Sequence, residues 1–345
     1  MVTIKDIARS AGVSPATVSR VLTNSRSVNS ELRERVLKVA HEYGYSPNTA
    51  ARSLVKKATN AIGVMVHNLH DPFFHDLILG FESGALETDL NVVFCSVMGK
   101  NDEEKLKYIR YLSNGVVDGI ILYGSYHFEE RFIQEIHTSD FPLFLIENRI
   151  SGVDTHSFLV DNRQGVYDAV YYLHQQGHRR IAYIAGKPNK SVCIERLEGY
   201  RSAVDELELH LPQEQYVLSL QKGYVDGGKL MEQFMSMPHD LRPTAVLCYD
   251  DATAASAITR AMQLGLRVPE DVSVMGFDNQ TIPPKDYVGP AITSVSQPLF
   301  EIGFDSMVLL SRFLRGDRQE RISRTYATCI AKKQSVAYCK EWSSK

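Results

Sequence analysis

The chain has 345 residues, 44% of them hydrophobic and 23% charged, with 22 Gly and 13 Pro. That composition excludes a disordered or fibrous chain and fits two or three globular domains. No apolar run reaches membrane-spanning length, and the opening MVTIKDIARSAG lacks the apolar stretch of a signal peptide, so a cytoplasmic protein with no membrane contact is expected.

The net charge of −3 hides an asymmetry. Residues 1–60 hold ten Lys/Arg against four acids, which leaves this segment at +6 and the remainder at −9. A basic head on an acidic body points to a polyanionic partner at one end. The five cysteines (Cys95, Cys193, Cys248, Cys329 and Cys339) are widely spaced with no CxxC pair. They read as reduced thiols rather than a zinc site or a disulfide framework, and no metal or cofactor is expected.

In chain order, Ile4, Ile7, Ala8 and Ala11 recur at helical period and Gly12 follows as a turn. Ser14 is a natural cap and Pro15 suits a first helical turn, after which Val18, Val21 and Leu22 form a second apolar stripe. A third helix opens at Ser30, carries Leu32, Val36, Leu37, Val39 and Ala40, and stops at Gly44. Two short helices joined by a glycine turn, with a third across them, form the helix-turn-helix plan.

With its apolar stripe inward, the second helix presents Pro15, Ala16, Ser19 and Arg20 outward. Small residues there let a helix seat deeply in a major groove, where Ala16 can touch a thymine methyl and Arg20 can bond guanine O6 and N7. Thr17, Asn24 and Asn29 suit phosphate contacts that set register, and Thr3, Ser14 and Arg26 complete the candidate DNA-contacting set of this head.

Beyond Lys57 short apolar strands alternate with amphipathic helices. Strands are predicted at Ala61–Val66, Asn91–Ser96, Asp118–Leu122 and Pro142–Ile146, with helices at Phe73–Glu87, Glu103–Asn114 and Glu129–Thr138 between them. A second series begins near Ser157. Its strands are Arg180–Ile184, Tyr216–Leu220, Thr244–Cys248 and Val272–Gly276, and its helices are Gln164–Gln176, Ile194–Glu206, Gly227–Met235 and Thr253–Leu264. The expected fold is a small all-α helix-turn-helix domain followed by an α/β body of two doubly wound parallel-sheet subdomains. Ile322–Val336 is expected to add a final strand.

Ligands in such folds bind at the carboxyl ends of strands, so two facing subdomains create a cleft. Candidate cleft residues are His70, Asp71, Phe73 and Phe74, then Asn148 with Arg149, and further along Asp161, Lys190–Cys193 with Arg196, Tyr224, Asp250 and Asp278. Aromatic faces stack on flat ligands while carboxylates and arginine bond hydroxyls, as in a carbohydrate site. Of the adjacent pair Asp250 and Asp251, the latter reads better as the cap of the following helix. There is no GxGxxG after the first strand, no GxxxxGK[ST], no GxSxG and no HExxH, so no catalytic residues are assigned.

TIKDIARSAGVSPATVSRVL, followed by GYSPNTAARSL and IGV, resembles the LacI/GalR family of bacterial regulators over the whole chain. The resemblance implies a periplasmic-binding-protein-like body and a hinge helix at Asn48–Val55 that orders on operator DNA. Leu54 stands where that family wedges a minor-groove base step, with Ala51 and Arg52 beside it. Such a wedge costs unstacking energy but exposes a bent duplex to more protein surface. Read without the family, Leu54 could instead be a buried anchor of the linker between domains.

The resemblance also places effector contacts at Phe73, Phe74, Asn148, Arg196, Tyr224, Asp250 and Asp278, with Asn148 departing from the Asp common at that position. It divides the chain into a headpiece (1–46), a hinge (47–57) and a body (58–345). Within the body, the N-subdomain takes about 58–160 plus 293–320 and the C-subdomain about 161–292 plus 321–345.

The implied partners are palindromic operator DNA, a second copy of the chain and a small-molecule effector. A sugar is favoured, with a nucleobase or a phosphorylated protein corepressor as alternatives. The function expected is an allosteric repressor of carbohydrate-utilisation genes. The alternatives are a sugar-binding sensor without a DNA role and a sugar-converting enzyme.

Leu54→Ala is expected to lower operator affinity in gel shifts while effector affinity without DNA, read by calorimetry, is unchanged. If neither moves, Leu54 is not the wedge.

Overall fold

The computed structural model describes residues 2–22, 28–45, 58–124, 133–134, 141–148, 155–188, 190–221, 226–281, 287–317 and 322–339. The chain divides into two compact units, Met1–Thr59 and Asn60–Lys345.

The first unit is three helices, α1 (Ile4–Ala11), α2 (Pro15–Leu22) and α3 (Ser30–Glu42). Each start is set by a local polar contact. The Thr3 backbone N–H and hydroxyl both donate to Asp6, Ser14 Oγ accepts from Thr17 N, and Asn29 Oδ1 accepts from Glu31 N. Gly12 ends α1 in the left-handed conformation, φ 65°, which lets Val13 N reach back to the Ala8 carbonyl. Ile7, Ala8, Ala11, Val18, Val21, Val36 and Ala40 form a closed apolar core.

The second unit is built on two six-stranded sheets. Its strands are β1 (Ala61–Val66), β2 (Asn91–Ser96), β3 (Gly119–Tyr123), β4 (Leu143–Ile146), β5 (His156–Val160), β6 (Ile181–Ala185), β7 (Val217–Ser219), β8 (Ala245–Cys248), β9 (Ser273–Asp278), β10 (Thr293–Ser296), β11 (Ser323–Tyr326) and β12 (Cys329–Ala331). The first sheet has the order β11-β5-β4-β3-β1-β2 and every neighbouring pair is parallel. The second runs β12-β10-β9-β8-β6-β7 and is parallel except for the terminal β10–β12 pair. Strands β4, β6 and β8 are buried along their whole length, because helices cover both faces of a parallel sheet.

A 3-10 turn at Pro72–Phe74 leads into α4 (His75–Thr88), and α5 (Asp102–Ser113) follows. The second subdomain contains α6 (Asn162–Gln175), α7 (Ser191–Glu206), the short α8 (Gln213–Tyr216), α9 (Asp226–Met235) and α10 (Asp251–Gln263), and α11 (Leu299–Leu314) comes last. α6, α7 and α10 begin two or three residues earlier than hydrophobic period suggests, because Asp161, Lys190 and Asp250 occupy the cap positions.

α4 and α11 pack closely over the first sheet. A Cβ on Gly80 would lie 2.2 Å from the Phe300 carbonyl oxygen, and one on Gly303 would lie 2.4 Å from that of Leu77. These two glycines let the backbones touch.

The chain passes between the sheets three times: from β5 into α6, from β10 into α11, and from β11 into β12. Two of the expected subdomain boundaries therefore move. Thr293–Ser296 pairs with β9 in the second sheet, so the 293–320 segment is split, with only its helix joining the first subdomain. Ser323–Tyr326 pairs with β5 in the first sheet, so the 321–345 segment also starts on the other side. The single final strand expected over Ile322–Val336 is two short strands in different sheets. A four-residue strand carries no local sign of its pairing partner; Val295 is drawn into the second core by Met275 and Phe277 beside it. The expected hinge (47–57) and most of the Glu129–Thr138 helix lie outside the described residues.

Gly303→Ala is expected to destabilise the protein by about 1–3 kcal/mol in urea unfolding, since the added methyl meets backbone on the facing helix rather than a movable side chain. A loss under about 0.5 kcal/mol would show that the helices part without strain.

Candidate functional site

In the first unit, Pro15, Ala16, Ser19 and Arg20 are exposed along α2, while Val18 and Val21 are buried. Several of the expected DNA-contacting groups already serve the fold. The Ser14 and Thr17 hydroxyls are hydrogen-bonded at 2.9 Å, the Thr3 hydroxyl donates to Asp6, and Asn29 caps α3. Asn24, Arg26, Ala51, Arg52 and Leu54 lie outside the described residues.

In the second unit, a cavity of about 450 Å³ opens where the carboxyl ends of both sheets face each other. The first subdomain lines it with His67, Asn68, His70 and Asp71 after β1, Phe73 and Phe74 in the 3-10 turn, Tyr123 at the end of β3, and Glu147 just past β4. The second contributes Lys190, Val192 and Arg196 at the start of α7, Tyr249 and Asp250 after β8, and Asp278 and Gln280 at the end of β9. This is the position that parallel-sheet folds reserve for ligands.

Seven of the expected effector residues therefore meet in one cavity: Asp71, Phe73, Phe74, Lys190, Arg196, Asp250 and Asp278. Tyr224 and Arg149 lie outside the described residues. Two others do not line the cavity. Asn148 is buried elsewhere, and the residue before it, Glu147, takes the place expected of it. Glu147 leaves β4 with φ 54°, a left-handed turn that alternation along a strand does not anticipate. Asp161 caps α6, accepting from Gln164 N at 3.1 Å.

The capping assignment at the acidic pair is also reversed. Asp250 is the cap, accepting from Thr253 N at 2.7 Å, whereas Asp251 accepts from Ser294 Oγ and Gln280 N. Tyr123, Tyr249, Glu147, His67, Asn68 and Gln280 were not singled out from the sequence. All sit at strand ends, and extending that rule to every strand would have found them.

Arg196 organises the floor of the cavity. Only 4% of it is exposed. Its guanidinium lies 3.6 Å from the Phe277 ring centre and 4.8 Å from that of Tyr249. Nε donates to Asn162 Oδ1 at 2.9 Å, Nη1 to the Tyr249 carbonyl at 2.6 Å, and Nη2 reaches Asp278 Oδ1 at 3.4 Å. Asp278 also accepts from Gln297 Nε2 at 2.6 Å. Burial raises the Asp278 carboxyl well above the usual range, and the long contact to Arg196 only partly opposes it.

Glu147 is pushed up to about 7, by burial above all, although Val160 N and Asn162 Nδ2 both donate to it. Burial likewise raises Asp250. On the first subdomain's wall, desolvation and then Lys190 and Lys105 lower His67. Phe73, Phe74 and Tyr123 meet edge-to-face at centroid distances of 5.0, 5.1 and 5.8 Å and make an aromatic wall.

A wall of rings facing crowded acceptors and a fixed guanidinium suits a ligand rich in hydroxyl donors with one flat face. Among the described residues no group of three or more His, Cys, Asp or Glu could hold a metal ion, and no helix is long and apolar enough to cross a membrane.

Residues 3–48 match the family of bacterial regulatory proteins, lacI family, and residues 170–336 match the periplasmic binding protein-like domain. The chain is 35% identical to the HTH-type transcriptional repressor CytR of Escherichia coli (strain K12), across 91% of this chain and 90% of that protein. It is 32% identical to the HTH-type transcriptional repressor PurR of Vibrio atlanticus (strain LGP32), across 93% and 95%. Among solved structures, the transcriptional regulator CelR–cellobiose complex is 28% identical with a TM-score of 0.70, covering 97% of this chain and 100% of that one. The Lac repressor dimer bound to operator and the anti-inducer ONPF has a TM-score of 0.83 at 24% identity, covering 97% and 99%, which shows the shared fold.

An unfolded glutamate ionises near 4.5, whereas folded Glu147 keeps its proton to about 7. Across that window the folded state binds the extra proton, so this residue lowers stability as pH rises and adds no slope above it. Asp251, also pushed up to about 7, acts in the same direction. Glu147→Gln should therefore flatten, without abolishing, the decline in unfolding free energy between about pH 5 and pH 8. An unchanged slope in denaturant titrations would mean that Glu147 is ionised throughout.

Proposed function

The chain belongs to the LacI family of bacterial regulatory proteins, and on that premise we propose that it is a sequence-specific transcription repressor whose operator affinity is set by a small molecule bound in the body. The observation that carries the DNA role is the outward edge of α2, where small Pro15, Ala16 and Ser19 flank Arg20 over a closed apolar core. A helix with that edge enters a major groove without steric obstruction. The net charge of +6 over residues 1–60 supplies the attraction to phosphate.

The effector is a carbohydrate on this reading. Raised carboxyls at Glu147, Asp250 and Asp278 gain from hydroxyl donors, and the aromatic wall takes the flat face of a sugar ring. A cavity of about 450 Å³ suits a small ligand of this kind. The cellobiose of the CelR complex is such a ligand. Binding shifts the balance between two arrangements of the subdomains by the effector's differential affinity for them.

The protein acts as a cytoplasmic homodimer on a palindrome, because two identical heads read two half-sites through two-fold symmetry. The Lac repressor dimer on its operator is a relative of that form. It is a regulator rather than an enzyme.

The test is selection from a randomised palindromic library of about 14–20 bp, followed by gel shifts at graded salt and with added cellobiose. Salt-sensitive binding to one selected sequence is expected; indifference to sequence would refute the reading. Arg20→Ala should cost about 1–3 kcal/mol and relax preference at one base pair. Uniform weakening over all sequences would make Arg20 a phosphate contact instead.

A further inference from the structure

Two of the three passages between the sheets are joined by buried polar side chains. At the first, Asn162 opens α6 with 1% of its surface exposed. Its Nδ2 donates to Glu147 Oε2 at 2.8 Å, and its Oδ1 accepts from Arg196 Nε at 2.9 Å. Glu147 belongs to the first subdomain and Arg196 to the second. Arg196 continues to Asp278 Oδ1, which accepts from Gln297 Nε2 at 2.6 Å. Gln297 lies at the second passage, between β10 and α11.

The chain Glu147–Asn162–Arg196–Asp278–Gln297 thus runs from one passage to the next beneath the cavity. Glu147, Arg196 and Asp278 line the cavity; Asn162 and Gln297 do not.

An asparagine suits the middle of this chain because one edge of its amide donates and the other accepts. The Nδ2 edge faces three oxygens, those of Glu147, the Val160 carbonyl at 3.3 Å and Glu195 at 3.4 Å, while the Oδ1 edge faces a permanent cation. A flipped amide would oppose like with like on both sides, so its orientation is overdetermined. In a water-excluding interior, breaking one such link leaves charged groups unsatisfied, and the neighbours must move to recover partners. At the far end the Gln297 side chain is tied in by its bond to Asp278, with no partner for Oε1 among the described residues.

We propose that Asn162 is a positioning residue that couples the two passages, so that a ligand moving Glu147 or Arg196 is felt at the starts of both α6 and α11. The proposal rests on the reading of the cavity as an effector site. Its mechanical content is tested without effector or DNA, so failure of either idea is separable from failure of the other.

The experiment is hydrogen–deuterium exchange on the full-length protein. Asn162→Asp keeps an acceptor for Arg196 but removes the amide donor to Glu147, and at pH 8, above the value of about 7 to which Glu147 is raised, it sets two carboxylates together. Exchange should quicken roughly tenfold or more at residues 158–162 and also at 294–299, which are linked to them through Arg196, Asp278 and Gln297. Adding Glu147→Gln reverses the polarity of the broken link, with the new amide at 147 donating to the new carboxylate at 162. Protection should then return at both segments to within roughly threefold of the parent.

Change confined to 158–162, or no recovery in the double variant, would overturn the coupling. Should Asn162→Asp fail to fold, Gln297→Ala approaches from the other end. Coupling requires faster exchange at 158–162, and a purely local effect near 297 would refute it.

Discussion

A guanidinium taken out of water costs several kcal/mol unless the protein supplies partners in place of its hydration, and the body of this protein gathers such partners around Arg196. One donor goes to an amide at the start of α6, one to the carbonyl after β8 and one toward the carboxylate at the end of β9, and Phe277 covers the flat face. Four elements must converge to do this, and their convergence is the floor of the cavity. The cavity floor and this buried charge are one structure.

The same low polarity that makes Arg196 costly raises the carboxyls around it. Glu147, Asp250 and Asp278 are raised by burial, which outweighs the hydrogen bonds the protein donates to them. A ligand carrying hydroxyls offers them donors, whereas a bare carboxylate or phosphate on this wall would add like charge. The first subdomain, which supplies Glu147, faces Asp250 and Asp278 with rings and with His67 held down by desolvation and the lysines near it. The two walls are chemically unlike, so a bound molecule has a defined orientation.

The head follows a different economy. Its core is seven small and branched residues, and its helix starts are satisfied by Asp6, Ser14 and Asn29 from within the unit. Caps and core are supplied internally, and the outward edge of α2 is exposed. The core contacts of this helix come from Val18 and Val21, with Ala16 and Arg20 exposed.

The three helices of the head and the alternation of strands and helices in the body were legible in the sequence because period, capping residues and glycine turns act over a few neighbours. So was the site in outline, since strand ends meet in this architecture whatever their residues, and seven of the ten expected effector residues do line the cavity. What only the tertiary structure decided is longer in range. Glu147 rather than Asn148 lines the cavity, at one left-handed backbone turn. Thr293–Ser296 and Ser323–Tyr326 exchange the sheets expected of them because the partner strand, not the segment, selects the pairing. Asn162 and Gln297 carry no motif that marks them. Their role exists only because folding brings residues 147, 162, 196, 278 and 297 into one buried chain of hydrogen bonds.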